Sequence, residues 1–562
     1  MRAPTSLLAA AILSLAAAAA AADPLAHARN GTYAGLHLPQ FAQDLFLGIP
    51  YAQSTAGRNR FRVPQPLGEA WNGTRDAKAY GPACPDASPA SDALYGMGED
   101  CLSVNVVRPS GGNGTRLPVM VWIHGGSYQQ GTSGLPNYNL TWIVQRSAEI
   151  GMPIIGASIN YRKGGWGNMY SIEIQGSGNT NLALRDMRQA LAWIQENIEA
   201  FGGDPGSVTI WGESSGSFAV GQLLMTYGGR TDGLFHRSIQ ESGSAATAWY
   251  NGSEWYQPIY NKIVDQVNCT SAIDTLACLR TVPYESLYPF MNSSIVGGPG
   301  FYPTVDGDII PAYPTELLRT GRFAHVPHLY GTNTDEGSDN APADGTINTD
   351  DDLKHFLLHR TGFDFPNTTI TRILELYPDD PSQGIPLNTG AQRFDTLGIQ
   401  YKRAAAIVGD VFYHAPRLDD ARHYAEGNAD TYVYRFNTRA FFDNTTAAAN
   451  ATYLSPAFLP PPYKGVAHFA EVAFVFGNPE FVGPWEEYRA LSRAMADRWV
   501  RFAWTGRPGG GEGVEWPRYG DGERGLNMVL QTEGQGGWYV EEDTYRLAGR
   551  EYLSEWARRR HV

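Results

Sequence analysis

After its first 22 residues, the 562-residue sequence contains no apolar run long enough to cross a bilayer. Those first residues carry one arginine, an apolar stretch over 7–20 and small alanine residues just before Asp23, which is the pattern of a secretory signal peptide. A membrane anchor is the alternative, but the stretch is too short and too rich in alanine. The C-terminal segment 555–560 is charged, which excludes a lipid-anchor signal. The sequence therefore predicts a secreted protein with no membrane anchor.

The sequence also has fewer basic residues than acidic ones. The chain carries 43 Lys and Arg against 57 Asp and Glu, a net charge of −14. This acidic balance argues against nucleic acid or an anionic membrane as a partner. The sequence shows no linker and no internal repeat, and the glycine-rich piece 508–513 is short enough to be a surface loop. We therefore expect residues 23–562 to form one domain.

Cysteine is scarce as well, with Cys84, Cys101, Cys269 and Cys278 only. Export favours disulfides, and four cysteines permit three pairings. Sequence proximity favours Cys84 with Cys101 and Cys269 with Cys278. A zinc site would need a Cys-x-x-Cys pair or paired histidines nearby, and the cysteines have neither. We therefore expect two disulfides and no metal site.

Glycosylation sequons, in contrast, are frequent. Behind an export signal, ten Asn-x-Ser/Thr sites indicate a glycoprotein of the eukaryotic secretory pathway. They are Asn30, Asn72, Asn113, Asn139, Asn251, Asn268, Asn292, Asn367, Asn444 and Asn450.

The stretch 208–225 carries the strongest chemical signal. Residues 208–211 are apolar and mostly β-branched, which predicts a buried strand. Gly-Glu-Ser-Ser-Gly follows at 212–216, and 218–225 can continue as a helix. A strand, Gly-x-Ser-x-Gly and a helix in this order predict a nucleophile elbow, in which flanking glycines avoid side-chain clashes and the serine hydroxyl stands at the strand end. Ser214 is therefore the predicted nucleophile.

Strand and helix patterns alternate along the chain. This alternation predicts a largely parallel sheet that helices cover on both faces, the α/β class. Further strands are predicted over 117–123, 153–157, 238–240, 326–330 and 431–436, and a helix over 182–198.

Several ordered motifs resemble the type-B carboxylesterase/lipase family, which includes secreted fungal lipases, carboxylesterases, cholinesterases and the neuroligin adhesion proteins. The resemblance covers nearly the whole mature chain and implies the α/β-hydrolase fold, with its site at the C-terminal ends of the strands. The motifs are Phe-Gly-Gly-Asp-Pro at 201–205, the elbow segment 208–216, Phe-Leu-Gly-Ile-Pro-Tyr-Ala at 46–52, Arg-Phe-Arg-Val-Pro at 60–64, Glu-Asp-Cys-Leu-Ser-Val-Asn-Val at 99–106 and the aromatic segment 499–508.

A serine nucleophile needs a base and a carboxylate that orients the base, in the chain order Ser, acid, His for this fold. The resemblance implies His468, in Gly-Val-Ala-His-Phe-Ala-Glu-Val, as the base; His414 is the best competitor. It implies Glu336, which precedes Gly337, as the acid, although the adjacent Asp335 could do the same chemistry.

The resemblance also implies an oxyanion hole after the strand at 117–123. Its donors are the backbone N–H groups of Gly126 and Ser127 in His-Gly-Gly-Ser, joined by the N–H of Ser215. Serine replaces the family's usual glycine at 127 and its usual alanine at 215, and both keep the required N–H. The resemblance further implies that Glu213 and Ser242 support the triad through hydrogen bonds, with a purely structural role as the alternative for each.

Together these features predict a secreted serine carboxylesterase that acts on a small-molecule ester through an acyl-enzyme, with no metal or organic cofactor. A cholinesterase, an interfacially active lipase and an inactive neuroligin-like binding protein are the alternatives. The sixteen residues 85–100 between the first two cysteines contain no tryptophan and cannot build a three-turn amphipathic helix. We therefore expect an open site that favours soluble short- and medium-chain esters and has no preference for choline.

Overall fold

The structure is a computed structural model that describes residues 23–86, 88–111, 114–291, 300–360, 362–427, 430–439, 461–510 and 513–560. The expected signal peptide over 1–22 and the sequons at Asn113, Asn292, Asn444 and Asn450 lie outside the described residues. Within the described ranges, no helix combines the length and the apolar character that a membrane crossing requires.

The described residues contain fourteen strands. They are β1 (Leu25–Ala28), β2 (Gly31–Ala34), β3 (Leu36–Leu38), β4 (Gln43–Pro50), β5 (Thr74–Asp76), β6 (Ser103–Pro109), β7 (Leu117–Ile123), β8 (Ile155–Ile159), β9 (Gly203–Glu213), β10 (Arg237–Glu241), β11 (His328–Asn333), β12 (Thr431–Phe436), β13 (Leu526–Leu530) and β14 (Tyr539–Glu542).

Eleven of these strands form one sheet, in the order β14-β13-β12-β11-β10-β9-β7-β8-β6-β4-β3. Every neighbouring pair from β8 to β13 is parallel. The edges are antiparallel, with β14 on one side and β6, β4 and β3 on the other. Strands β1, β2 and β5 form a separate small sheet. The large sheet is therefore mixed and mostly parallel, as the sequence predicted.

The described residues contain eighteen α-helices, most of which lie between consecutive parallel strands. They are α1 (Pro89–Tyr95), α2 (Thr141–Glu149), α3 (Gly164–Asn168), α4 (Ile172–Gly176), α5 (Leu182–Asn197), α6 (Ser215–Met225), α7 (Ser253–Gln266), α8 (Thr275–Thr281), α9 (Tyr284–Met291), α10 (Pro314–Arg319), α11 (Asp350–His359), α12 (Asn367–Leu376), α13 (Tyr401–Gly409), α14 (Ala415–Gly427), α15 (Val472–Phe476), α16 (Pro479–Val482), α17 (Glu486–Thr505) and α18 (Leu547–Arg560).

The sheet separates two apolar cores, because successive residues of a strand point to opposite faces. In β7, Val119, Val121 and Ile123 pack with α5 and α6 on one face. Met120 and Trp122 pack with α2, α15 and α17 on the other. Each of these five side chains is completely buried. Central strands that are buried on both faces explain the nearly continuous apolar runs in the sequence.

Most predicted elements match the structure, and the strands predicted over 117–123 and 431–436 have the observed ends. The predicted strand 153–157 is displaced by two residues, because β8 pairs with β7 from Ile155 onward and Pro153 has no N–H to donate to a central strand. The longer β9 contains the predicted 208–211, and α5 ends one residue before the predicted end.

Two other boundaries also differ from the sequence prediction. The strand expected over 326–330 is β11, which begins after Pro327 and continues to Asn333 because its whole length pairs with β12. The helix expected from 218 begins three residues earlier, since Phe218 N already donates to Ser214 O at 2.9 Å.

Both expected disulfides are present. Cys84 is bonded to Cys101, and Cys269 to Cys278. The first bond closes the segment 85–100, called the disulfide loop below, in which α1 has only seven residues. Over the described residues of this loop, 85–86 and 88–100, the expectation of no three-turn helix is therefore confirmed.

Candidate active site

Four parallel strands end beside the residues that the sequence singled out. Gly126 and Ser127 follow β7, Ser214 follows β9, Ser242 follows β10 and Glu336 follows β11. The carboxyl ends of parallel strands meet at one edge of the sheet, which is where ligands bind in open α/β sheets. The topology therefore gathers residues that are more than 200 positions apart in the sequence.

Ser214 occupies a sharp turn between β9 and α6. Its backbone is in a sparsely populated region, with φ 55° and ψ −125°. A Cβ at Gly216 would lie 2.0 Å from Ile123 O, and one at Gly212 would lie 2.6 Å from the Gly216 backbone. The two glycines are therefore sterically required. Ser214 itself is partly exposed, whereas the residues on either side are buried.

The segment after β7 lies beside the elbow, since a Cβ on Gly125 would be 3.0 Å from Ser214 Cβ, and it carries unpaired backbone donors. Gly126 has φ 104°, and a Cβ there would lie 2.1 Å from Gln130 O, so only glycine fits. In the described part of the chain, the N–H groups of Gly126, Ser127 and Ser215 donate no hydrogen bond. Three free donors near a strand end can bind the oxygen of a tetrahedral intermediate.

His468 and Glu336 form a close pair. The imidazole Nδ1 lies 2.7 Å from Glu336 Oε2. Since a carboxylate oxygen accepts, Nδ1 carries the proton and Nε2 is left as the basic nitrogen. The other carboxylate oxygen, Oε1, accepts from Ser242 Oγ at 2.5 Å and from Asn333 N at 2.7 Å. These bonds fix a carboxylate that is completely buried.

The second imidazole nitrogen faces Glu213, the residue before the elbow serine. His468 Nε2 lies 3.2 Å from Glu213 Oε1. Among the described residues, Ser214 Oγ has no hydrogen-bond partner. Burial disfavours the imidazolium, but the carboxyl groups of Glu213 and Glu336 outweigh burial and raise the pKa of His468. Burial also raises the pKa of Glu213 well above its usual range. Glu213 and His468 therefore compete for one proton.

Sequence reasoning did not single out Glu471, which lies beside Ser242 and Asn333. Its Oε2 accepts from Asn333 Nδ2 at 2.6 Å, and its Oε1 accepts from Ser242 Oγ at 3.1 Å. Burial and the charge of Glu336 raise the pKa of Glu471 to about 7. The available signal was a glutamate three residues after His468, at the start of an apolar run.

Tyr413 was missed as well. Its ring lies over the imidazole of His468, with centroids 4.7 Å apart, and its hydroxyl accepts from Asn340 Nδ2 at 3.3 Å. It lies in a π-helical turn over 410–414 that joins α13 to α14. No local sequence pattern indicates that such a turn faces a residue more than fifty positions away.

The other candidates for the acid and the base lie in different surroundings from Glu336 and His468. Asp335 accepts from the backbone N–H groups of Leu387 and Val466 at 2.9 and 2.8 Å, so its carboxylate holds two loops. Burial lowers the pKa of His414 to about 3. Burial, together with a lysine nearby, lowers the pKa of His124 to about 3. Of these histidines and acidic groups, the structure pairs Glu336 with His468.

The disulfide loop is tied to the segment that follows β7. Asp86 Oδ2 lies 2.9 Å from Lys163 Nζ and accepts from Gly131 N at 2.9 Å. Both side chains of this ion pair are buried. At the other end of the loop, Arg60 donates two hydrogen bonds to Glu99, at 2.6 and 2.7 Å. The loop is therefore held at both ends by buried ion pairs in addition to its disulfide.

Comparisons with known proteins find relatives that match nearly the whole chain. A sequence model described as the carboxylesterase family matches residues 22–545. The chain is 31% identical to Lipase 4 of Diutina rugosa, over 96% of this chain and 97% of that protein. It is also 31% identical to Secreted lipase 1 of Botryotinia fuckeliana (strain B05.10), over 91% and 89%. The fold is similar to the crystal structure of Aspergillus niger EstA, with a TM-score of 0.79 and 26% identity, covering 96% of this chain and 99% of that chain.

Proposed function

We propose a catalytic mechanism for this chain, which belongs to the carboxylesterase family and is a carboxylic ester hydrolase. Ser214 is the nucleophile that forms an acyl-enzyme, His468 is the general base and then the general acid, and Glu336 orients the imidazole. The observation that carries the proposal is the strained, partly exposed turn at Ser214 beside three unpaired N–H groups.

In the first half-reaction, His468 Nε2 takes the proton of Ser214 Oγ as this oxygen attacks the ester carbonyl. The N–H groups of Gly126, Ser127 and Ser215 stabilise the oxyanion, and the imidazolium then gives its proton to the leaving alcohol. In the second half-reaction, water repeats these steps on the acyl-enzyme and releases the acid. Glu336 holds Nδ1–H across its 2.7 Å hydrogen bond throughout both half-reactions.

We infer that the substrates are soluble esters of short or medium chain length. Interfacial activation needs an apolar flap that can open at an oil surface. Here the disulfide loop carries a helix of only seven residues, and the buried pairs Asp86–Lys163 and Arg60–Glu99 hold it in place. Moving the loop would break ion pairs that are shielded from water, which is costly.

Secretion is part of the proposal, on the basis of the N-terminal pattern over 1–22 and the two disulfides. A relative that is named a secreted lipase also supports secretion. We further propose that residues 23–562 form a single catalytic domain and that the sequons carry glycans.

A neuroligin-like binding protein and a cholinesterase are weaker alternatives. Adhesion requires none of Ser214, Glu336 and His468, yet this chain keeps all three, and the last two form a close pair. A cholinesterase binds the quaternary ammonium on a tryptophan of the first disulfide loop by cation–π attraction. The disulfide loop of this chain contains no tryptophan.

Two kinetic experiments test the proposal. A rapid-mixing experiment with an activated ester should show a burst of alcohol equal to the enzyme concentration, and Ser214→Ala should abolish the burst and the turnover. A rate series from acetate to palmitate esters, run across each solubility limit, should favour short and medium chains. A sharp rise on emulsions of long-chain esters would identify an interfacial lipase instead, and absence of hydrolysis across the series would favour the binding protein.

A further inference from the structure

Ser215 contributes a side chain as well as a backbone N–H to the candidate site. Its Oγ accepts a hydrogen bond from Tyr128 N at 3.1 Å, and the Ser215 side chain is completely buried. It also faces the hydroxyl of Tyr161, which donates to His124 O at 2.7 Å. The hydroxyl of Ser215 therefore contacts the Tyr128 end of the segment 124–128 directly, and this segment contains the donors Gly126 and Ser127.

This segment has a backbone that needs support. Ser127 and Tyr128 both have φ 58°, so two consecutive non-glycine residues adopt the left-handed region. Such conformations persist only where the surrounding structure holds them. Each polar group of Tyr128 makes a hydrogen bond. Its N–H donates to Ser215 Oγ, its carbonyl accepts from Gly164 N at 2.6 Å, and its hydroxyl donates to Gln222 Oε1 at 2.5 Å.

We propose that the Ser215 hydroxyl is a positioning group for the oxyanion hole, acting through Tyr128 N–H. The inference rests on the proposed function, because it concerns the same hole. An alanine at 215 keeps the backbone N–H but leaves the buried N–H of Tyr128 without its acceptor, so the segment relaxes to satisfy this group. Relaxation displaces the N–H groups of Gly126 and Ser127 from the oxyanion position, whereas binding of the ground-state ester is unaffected.

The test compares Ser215→Ala with Ser217→Ala. Ser217 lies in the same helix, is equally buried, and donates to Gly243 O at 2.6 Å. Gly243 O keeps a second donor, Gln240 Nε2 at 2.8 Å, so this control removes one buried hydroxyl without leaving the carbonyl unpaired. The measurements are kcat and KM for a soluble ester, the inhibition constant of an aryl trifluoromethyl ketone, which forms an oxyanion adduct, and the thermal midpoint of unfolding.

We expect Ser215→Ala to lower kcat by roughly tenfold and to weaken the trifluoromethyl ketone by the same factor, with KM unchanged. This loss is smaller than the 10²–10³ that removal of a whole oxyanion donor costs, since the donors are displaced and not deleted. Ser217→Ala should change neither kcat nor the inhibition constant of the ketone, whatever its effect on the thermal midpoint of unfolding.

Two results for Ser215→Ala would overturn the inference. One is a kcat and a ketone inhibition constant that both stay within about twofold of the parent values; the other is a fall in kcat with unchanged affinity for the ketone. A similar loss in Ser217→Ala would show a general effect of the helix and would also refute it. If the parent enzyme does not bind the ketone, or Ser214→Ala stays active, the proposed function fails and this inference fails with it.

Discussion

Replacing Glu213 by glutamine should move the acid limb of the pH–rate profile to lower pH. Catalysis needs neutral His468, so the rate falls as the pH decreases through the pKa of this group. The carboxylate of Glu213 favours the imidazolium, because its Oε1 lies 3.2 Å from Nε2. Without that carboxylate the imidazolium is less stable, the pKa of His468 falls, and the base stays neutral in more acidic solution.

The size of the shift follows from Coulomb's law. Unit charges 3.2 Å apart attract each other by roughly 5 kcal/mol at an effective dielectric constant of about 20, equivalent to some three to four pKa units at most. Burial raises the pKa of Glu213, so this group takes up the proton itself over part of the range. We therefore expect a displacement of roughly one to two pH units.

Against the effect of burial, the carboxyl groups of Glu213 and Glu336 raise the pKa of His468 to about 10, so the assay is kcat/KM for a soluble ester between about pH 5 and 11. Glu241→Gln is the matched control, because its side chain accepts from the indole N–H groups of Trp211 and Trp499 at 2.7 and 2.6 Å and does not face His468. Burial raises the pKa of Glu241 as it raises that of Glu213, so the two variants remove carboxyl groups from similarly buried surroundings. Superimposable limbs for Glu213→Gln and the parent, or a shift to higher pH, would refute the reasoning.

Three further predictions address other parts of the account. Glu336→Gln should lower kcat by roughly 10⁴, because glutamine no longer holds the Nδ1–H tautomer; a kcat within tenfold of the parent would contradict this role. Asp86→Ala should destabilise the protein by about 3–5 kcal/mol in urea unfolding, because it leaves Lys163 buried without its partner. Asp76→Ala, at a carboxylate that is 79% exposed, should cost less than about 1 kcal/mol, and equal effects would argue against the anchored loop. Choline esters should show no higher kcat/KM than uncharged esters of equal size; a strong preference for choline would make the missing tryptophan irrelevant.

Features that depend only on local backbone geometry could be predicted from the sequence. Gly212 and Gly216 could be predicted as part of an elbow, because any side chain there meets backbone atoms. The buried strands could be predicted from their apolar residues, although their ends could not. Pro153 and the pairing with a neighbouring strand decide where β8 begins, and such pairing is a long-range property.

Contacts between distant segments could not be predicted. The resemblance to a family supplied His468 and Glu336, but nothing local indicates that Tyr128 N donates to Ser215 Oγ across 87 positions. Nor does the sequence show that Glu213 faces the imidazole, because this depends on how the end of β9 lies against the distant segment that carries His468. Charge competition inside the site is thus visible only in three dimensions.

The identity of the nucleophile is the central claim, and covalent labelling tests it most directly. The enzyme is treated with a fluorophosphonate, and the adduct is mapped by peptide mass spectrometry while activity is followed. We expect one adduct per chain, on Ser214, and a loss of activity in proportion to labelling. Labelling of a different serine, or full activity in Ser214→Ala, would contradict it.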